Sequence, residues 1–218
     1  IVIPPSVTKI GKYTFKGQEN LKSVSIHSKV AKIEQHAFEG CTSLSQISLH
    51  SSEIVASFEA FNGPINVQFS NETNVVPKKF FLASSIEQIE FLSPITKICD
   101  YAFNRCSSLK QIKLPSSLTC ICVGSFSQCE NLEKISIPAS VTEIGDHSFH
   151  DCKSLKSIEI PSSSVMKRIG NYAFDNCYSL VDIELPSSLI DLGYGIFNYC
   201  KNLKKLSFPP LITRIKKK

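Results

Sequence analysis

Apolar positions return along the 218-residue chain at a near-constant interval. Sliding the chain against itself by 23 residues brings Phe15, Phe38, Phe61, Phe81, Phe103, Phe126, Phe149, Phe174 and Phe197 into one column, at steps of 23, 23, 20, 22, 23, 23, 25 and 23. Other columns move with it. One unit places apolar residues at Leu132, Ile135 and Ile137, meets Pro138, resumes at Val141 and Ile144 before Gly145, and closes on Ser148, Phe149 and Cys152. The next repeats it as Leu155, Ile158, Ile160, Pro161, Val165, Ile169, Gly170, Ala173, Phe174 and Cys177.

Two apolar residues spaced two apart, as at Ile135 and Ile137, share one face of an extended strand and leave the residue between them on the other. Proline follows at Pro4, Pro115, Pro138, Pro161, Pro186 and Pro209; it has no N–H to give to a ladder, so the strand is short. Glycine at Gly11, Gly145, Gly170 and Gly193 marks a bend that needs either a positive φ or a close backbone approach. The phenylalanines fill the space between successive coils.

A single unit cannot bury its own apolar edge, so the units stack, with strands side by side at about 4.8 Å. A period of 20 to 29 residues is that of a leucine-rich repeat. The expected fold is therefore a leucine-rich-repeat solenoid with a parallel β-sheet on the concave face. Short extended or 3₁₀ segments form the convex face, with little α-helix. Residues 1–218 read as a single solenoid of about nine 23-residue repeats, degenerate at about 53–92. There the third unit is three residues short around Gly63-Pro64, and the fourth has no cysteine. Ser70-Asn71-Glu72-Thr73-Asn74 reads as an exposed loop, and its Asn71-Glu72-Thr73 matches a glycosylation sequon that matters only in a secreted protein. Both ends are cut within a repeat, at Ile1-Val2-Ile3-Pro4 and at Leu211-Ile212, with no capping units. This is the expectation for a section of a longer array or for end-to-end self-association.

The pattern Leu-x-x-Ile-x-Ile-Pro-x-Ser-Val-x-x-Ile-Gly-x-x-Ala-Phe-x-x-Cys-x-x-Leu resembles the BspA-like class of leucine-rich repeats, found in bacterial surface antigens and expanded in protozoan parasites such as Trichomonas and Entamoeba. The best matches run from Leu109 to Cys129, Leu132 to Cys152, Leu155 to Cys177 and Leu180 to Cys200. In its Lys, Asn, Ile and Cys usage the chain looks more like the protozoan members. The resemblance implies a surface antigen or adhesion protein binding host proteins, matrix or cells, hence display at the cell surface or outside the cell. The alternative is a cytoplasmic protein–protein interaction scaffold.

Charge narrows the partners. Arg214, Lys216, Lys217 and Lys218 supply four of the net +5, so the body is nearly neutral and lacks the basic face of a nucleic-acid reader. No apolar run is long enough to insert this segment in a membrane. No phosphate-binding glycine loop, His-Glu-x-x-His or Gly-x-Ser-x-Gly occurs, so neither a catalytic residue nor a cofactor is assigned and the chain reads as a non-enzyme.

Six of the nine cysteines (Cys41, Cys106, Cys129, Cys152, Cys177 and Cys200) fall three residues after a phenylalanine, and so read as a ladder of buried thiols. Cys99 and Cys122 replace the turn glycine in neighbouring units, about 5 Å apart, and are the pair placed for a disulfide. Cys120-Ile121-Cys122 has the wrong spacing for a zinc knuckle. His147 shares a column with Tyr13, His36, Tyr101 and Tyr172 and reads as filler, not as a metal ligand. The strand face turned from the core carries Gln88, Glu90, Gln111, Lys113, Lys134, Ser136, Ser157, Glu159, Asp182 and Glu184. It has no aromatic anchor, and is either an ordinary solvated sheet face or the surface that meets a protein ligand.

Overall fold

In the computed structural model the residues described are 1–51, 53–57, 60–61, 65–69 (backbone only) and 74–212. Gly63-Pro64, the sequon at Asn71 and the basic run from Arg214 lie outside them. The chain winds into a parallel β-solenoid of about eight turns, and the described residues include neither α-helix nor 3₁₀-helix. Numbered in chain order, the strands of one side, all longer than two residues except β10, are β2 (Ser23–Ile26), β4 (Gln46–Leu49), β6 (Ile65–Phe69), β8 (Gln88–Phe91), β10 (Gln111–Ile112), β12 (Lys134–Ser136), β14 (Ser157–Glu159), β16 (Asp182–Glu184) and β18 (Lys205–Ser207). The first five form one parallel sheet and the last four another.

The crossover is not free of pairing. It carries two further parallel sheets of two-residue strands: β1 (Lys9–Ile10), β3 (Lys32–Ile33) and β5 (Val55–Ala56), then β7 (Val75–Val76), β9 (Lys97–Ile98), β11 (Cys120–Ile121), β13 (Glu143–Ile144), β15 (Arg168–Ile169) and β17 (Asp191–Leu192). Two strands per turn, one on each side of a single core, leave almost every apolar column buried: Ile135, Ile158 and Ile183 pair across the long strands, and Ile121, Ile144 and Ile169 across the short ones. At the irregular units the register slips. Val67 pairs with Ile47 on one side but with Phe91 on the other, two residues beyond Ile89. An even slip preserves the alternation of faces between paired strands.

The phenylalanines form a continuous ring ladder. Phe81, Phe103, Phe126, Phe149 and Phe174 stack with centroids 5.1 to 5.4 Å apart and planes within 18° of parallel. The ladder tilts once, between Phe61 and Phe81, where the planes turn 59°. The cause is Phe80, which stands in a column held elsewhere by Thr14, Ala37, Ala60, Ala102, Ser125, Ser148 and Ala173, with Ile196 the other large member; its ring lies 4.7 Å from Phe81, edge-on.

Each turn in which these positions are described has two left-handed residues, two before and two after the ladder phenylalanine. The first column is Tyr13, His36, Lys79, Tyr101, Gly124, His147, Tyr172 and Gly195; the second is Gly17, Gly40, Ala83, Arg105, Gln128, Asp151, Asn176 and Tyr199. Outside glycine this backbone costs about 1–2 kcal/mol per residue. It is offset here because it aims three N–H groups per turn at the next coil: Tyr101, Phe103 and Arg105 donate to the carbonyls of Val123, Ser125 and Ser127 at 2.7–2.9 Å. The glycines after the short strands serve the other purpose considered, close approach. Gly145, Gly170 and Gly193 have no positive φ, but a Cβ on each would lie 2.4 to 2.6 Å from backbone atoms of the preceding coil.

The six column cysteines are free thiols. Each donates to the carbonyl of the phenylalanine one coil earlier, as Cys129 to Phe103 and Cys152 to Phe126, both at 3.2 Å. Burial pushes these thiols up, Cys200 to about 11, so they stay protonated donors. By contrast Ser148, fully buried in the column before the ladder phenylalanine, has a hydroxyl with no partner among the described residues. Ser148→Ala is expected to raise stability by about 1 kcal/mol, read as a higher urea midpoint with unchanged m; a lower midpoint refutes the assignment.

Candidate binding surface

Alternation along the long strands decides which side chains are free to meet a ligand. Ile89, Ile112, Ile135, Ile158 and Ile183 point into the core, and Gln88, Glu90, Gln111, Lys113, Lys134, Ser136, Glu159, Asp182 and Glu184 are exposed, with Ser157 half-buried. Parallel register sets them in rows: Gln88 beside Gln111, Lys134 beside Ser157 and Asp182, Ser136 beside Glu159.

The row is divided. β10 and β12 belong to different sheets, and the Glu133 N–H to Lys110 carbonyl bond (3.2 Å) links them just before their strands. On either side of that seam lies a groove. One of about 310 Å³ is lined by Gln88, Glu90, Gln111 and Lys113 with the backs of Ile89 and Ile112. A larger one, about 550 Å³, is lined by Ser136, Ser157, Glu159, Asp182 and Glu184 over an apolar floor that includes Ile160. The ten residues chosen from the sequence thus fall into two depressions, with Lys134 on the rim of the larger.

Charge differs between the two. Lys134 pairs with Glu159 at 2.5 Å and the Ser136 hydroxyl donates to the same carboxylate. The lysine first and the serine second hold Glu159 below the usual carboxylate range. Asp182 and Glu184 form no ion pair among the described residues, although Lys205 lies beside Asp182 in register, so the larger groove presents two carboxylates without a salt bridge next to a neutralised one. Along the flank, Lys156–Glu133 and Lys153–Glu130 cross-link successive coils at 2.8 and 2.7 Å.

Among the described residues no cluster of His, Cys, Asp or Glu is placed to hold a metal ion, and no helix is long and apolar enough to cross a membrane. His147 stacks on Tyr172 (5.1 Å), as Tyr13 does on His36 (5.3 Å). Where the next coil has glycine in this column the ring lies over it: a Cβ on Gly124 would sit 2.4 Å from the Tyr101 ring, and one on Gly195 equally close to Tyr172. Alternation gave no sign of this exposed aromatic edge.

Cys99 and Cys122 are also free thiols. They follow the paired Ile98 and Ile121, and in-register stacking at about 4.8 Å carries their Cβ atoms in parallel, whereas a bridge draws Cβ atoms to about 3.8 Å. The sulfur contact Cys122 makes is with Cys120, at 3.5 Å.

A family model described as BspA type leucine rich repeat region matches in six copies, over residues 1–109, 55–146 and 121–218. Among solved structures, a leucine rich repeat protein of T. pallidum is 27% identical with a TM-score of 0.44, covering 94% of this chain and 77% of that one. A leucine rich cell surface protein of Faecalibacterium prausnitzii is 26% identical with a TM-score of 0.46; the match covers 93% of this chain, which spans 45% of that protein. A pneumococcal vaccine antigen is 17% identical with a TM-score of 0.38, covering 93% and 70% of the two chains. No curated protein matches at a significant level.

Proposed function

Because the chain belongs to the BspA type leucine-rich-repeat family, whose fold is typically non-enzymatic, we propose that it is a non-catalytic binding module that engages a protein ligand through its long-strand face. The scaffold is one continuous solenoid of about nine units, and the module is displayed at the cell surface as an antigen or adhesin toward host protein, matrix or cells. The observation that carries this reading is the larger groove, where the unpaired carboxylates of Asp182 and Glu184 stand over an apolar floor between coils. That chemistry suits an extended segment with lysine or arginine beside aliphatic side chains. With no aromatic anchor the affinity of one module is modest, and repetition on a surface multiplies it.

The test is adhesion of the purified chain to immobilised matrix proteins and to intact cells. Asp182→Lys with Glu184→Lys is expected to weaken retention about tenfold while leaving the unfolding midpoint near wild type. Lys113→Glu with Lys134→Glu is expected to change it in the opposite sense or in salt dependence. Retention unchanged by both pairs places the interface elsewhere. The free thiols favour a second reading, an intracellular interaction scaffold; staining of intact, unpermeabilised cells separates the two.

A further inference from the structure

The three cysteines outside the buried ladder converge at one place on the short-strand sheet. Cys120 lies on β11 with its neighbour in register, Lys97 of β9, on the same outward side and Glu143 of β13 on the other. Cys122 follows two residues on, its sulfur 3.5 Å from that of Cys120, and Cys99 occupies the equivalent position one coil earlier. Cys99 and Cys120 are half-buried, so small reagents reach them, whereas five of the six ladder thiols are fully or almost fully buried, with Cys200 half-buried. Among the described residues the titratable groups facing the pair are Lys97, Glu143, Asp100 and Cys99. From this arrangement we infer that Cys120 and Cys122 form a reactive dithiol that exchanges with low-molecular-mass disulfides, Cys120 attacking first and Cys122 resolving.

The chemistry balances without a further reagent. The Cys120 thiolate attacks one sulfur of an external disulfide RSSR, forming a mixed disulfide and releasing RS⁻. The Cys122 thiol loses its proton and attacks the Cys120 sulfur, expelling a second RS⁻ and leaving Cys120–Cys122 joined. The two protein thiols are oxidised, RSSR is reduced to two RSH, and the two protons lost by the cysteines end on the two thiols released. Cys120 is the attacking group because it is half-buried and beside Lys97 in register while Cys122 is buried, and its sulfur contact with Cys122 pulls it down to about 7 against the opposing effect of burial. Cys122 is raised by the same contact and by burial. A thiol that ionises near ambient pH is the best attacking thiol. Cys99 is also raised by burial and has no sulfur contact of this kind among the described residues.

The experiment uses the whole chain and oxidised glutathione. After incubation at neutral pH, alkylation under denaturing conditions and peptide mapping, one disulfide joining Cys120 to Cys122 is expected, with the six ladder thiols still alkylated. Initial alkylation of native protein by iodoacetamide is expected to be at least about tenfold faster at Cys120 than at any ladder cysteine, with a pH midpoint near 7. Cys122→Ser should leave a stable glutathione adduct on Cys120, and Cys120→Ser should abolish fast exchange. A Cys99–Cys122 bridge with Cys120 free, or Cys120 reacting no faster than the ladder, overturns the proposal. Both are read on unaltered protein, so neither depends on a variant folding.

Discussion

Replacing Phe126 with alanine is expected to destabilise the chain by about 3–5 kcal/mol. The ring is fully buried, with Phe103 and Phe149 stacked on it at 5.2 and 5.3 Å, at 2° and 8° to its plane. Truncation removes the area buried by the ring and leaves a hole that the neighbours cannot fill by collapse, because their spacing is set by the strands on both sides of the core. It also strips two ring contacts at once. Phe126→Leu is expected to recover part of the loss, restoring volume but not stacking. The measurement is the urea unfolding midpoint by far-ultraviolet circular dichroism. A loss below about 1 kcal/mol for alanine shows that the ring ladder does not hold successive coils together.

Gly193→Ala has the second largest expected effect, about 1–3 kcal/mol, although it adds only one methyl. The added Cβ would sit 2.4 Å from the Asn171 amide nitrogen and 2.5 Å from the Gly170 carbonyl carbon. These are backbone atoms fixed in a ladder, so relief means prising two coils apart. Gly11→Ala is the control in the same column, since its Cβ would meet only the Thr14 hydroxyl at 3.3 Å, and it is expected to be nearly neutral. Equal losses at the two sites point to backbone entropy as the cause in place of coil contact.

The columns that a repeat exposes to reading are those filled by one residue type for one reason. Phenylalanine in the ladder, aliphatics in both strands and cysteine under the phenylalanine carbonyl are of this kind, and they carry the solenoid. The left-handed positions are not. Tyr101, Gly124, His147 and Lys79 share a backbone conformation but no side-chain chemistry, so nothing in residue identity marks them. The turn glycines were legible as a constraint, but the two causes offered for them separate only when the distance to the preceding coil is known. Pairing within the crossover was equally hidden, because a two-residue strand is too short to alternate. On the binding surface, alternation was enough to place nine of the ten residues outward. It could not show the seam after β10 or the pairing of Lys134 with Glu159, which lie 25 residues apart and meet only through register. Phe80 shows the reverse case, a large residue in a column of mostly small ones, which is visible in the sequence although the tilt it forces is not.

The row of donors at the phenylalanine edge makes that edge electrically one-sided. Tyr101, Phe103 and Arg105 point their N–H groups toward the following coil, as do Phe126 and Gln128 in the next turn and Tyr172, Phe174 and Asn176 further on. In a strand ladder alternate amides point opposite ways and their dipoles largely cancel; here they add from coil to coil, as in a helix. The edge therefore runs from a negative carbonyl end toward the early coils to a positive amide end toward the late ones, a built-in polarity by which a further coil laid against it has only one favourable direction.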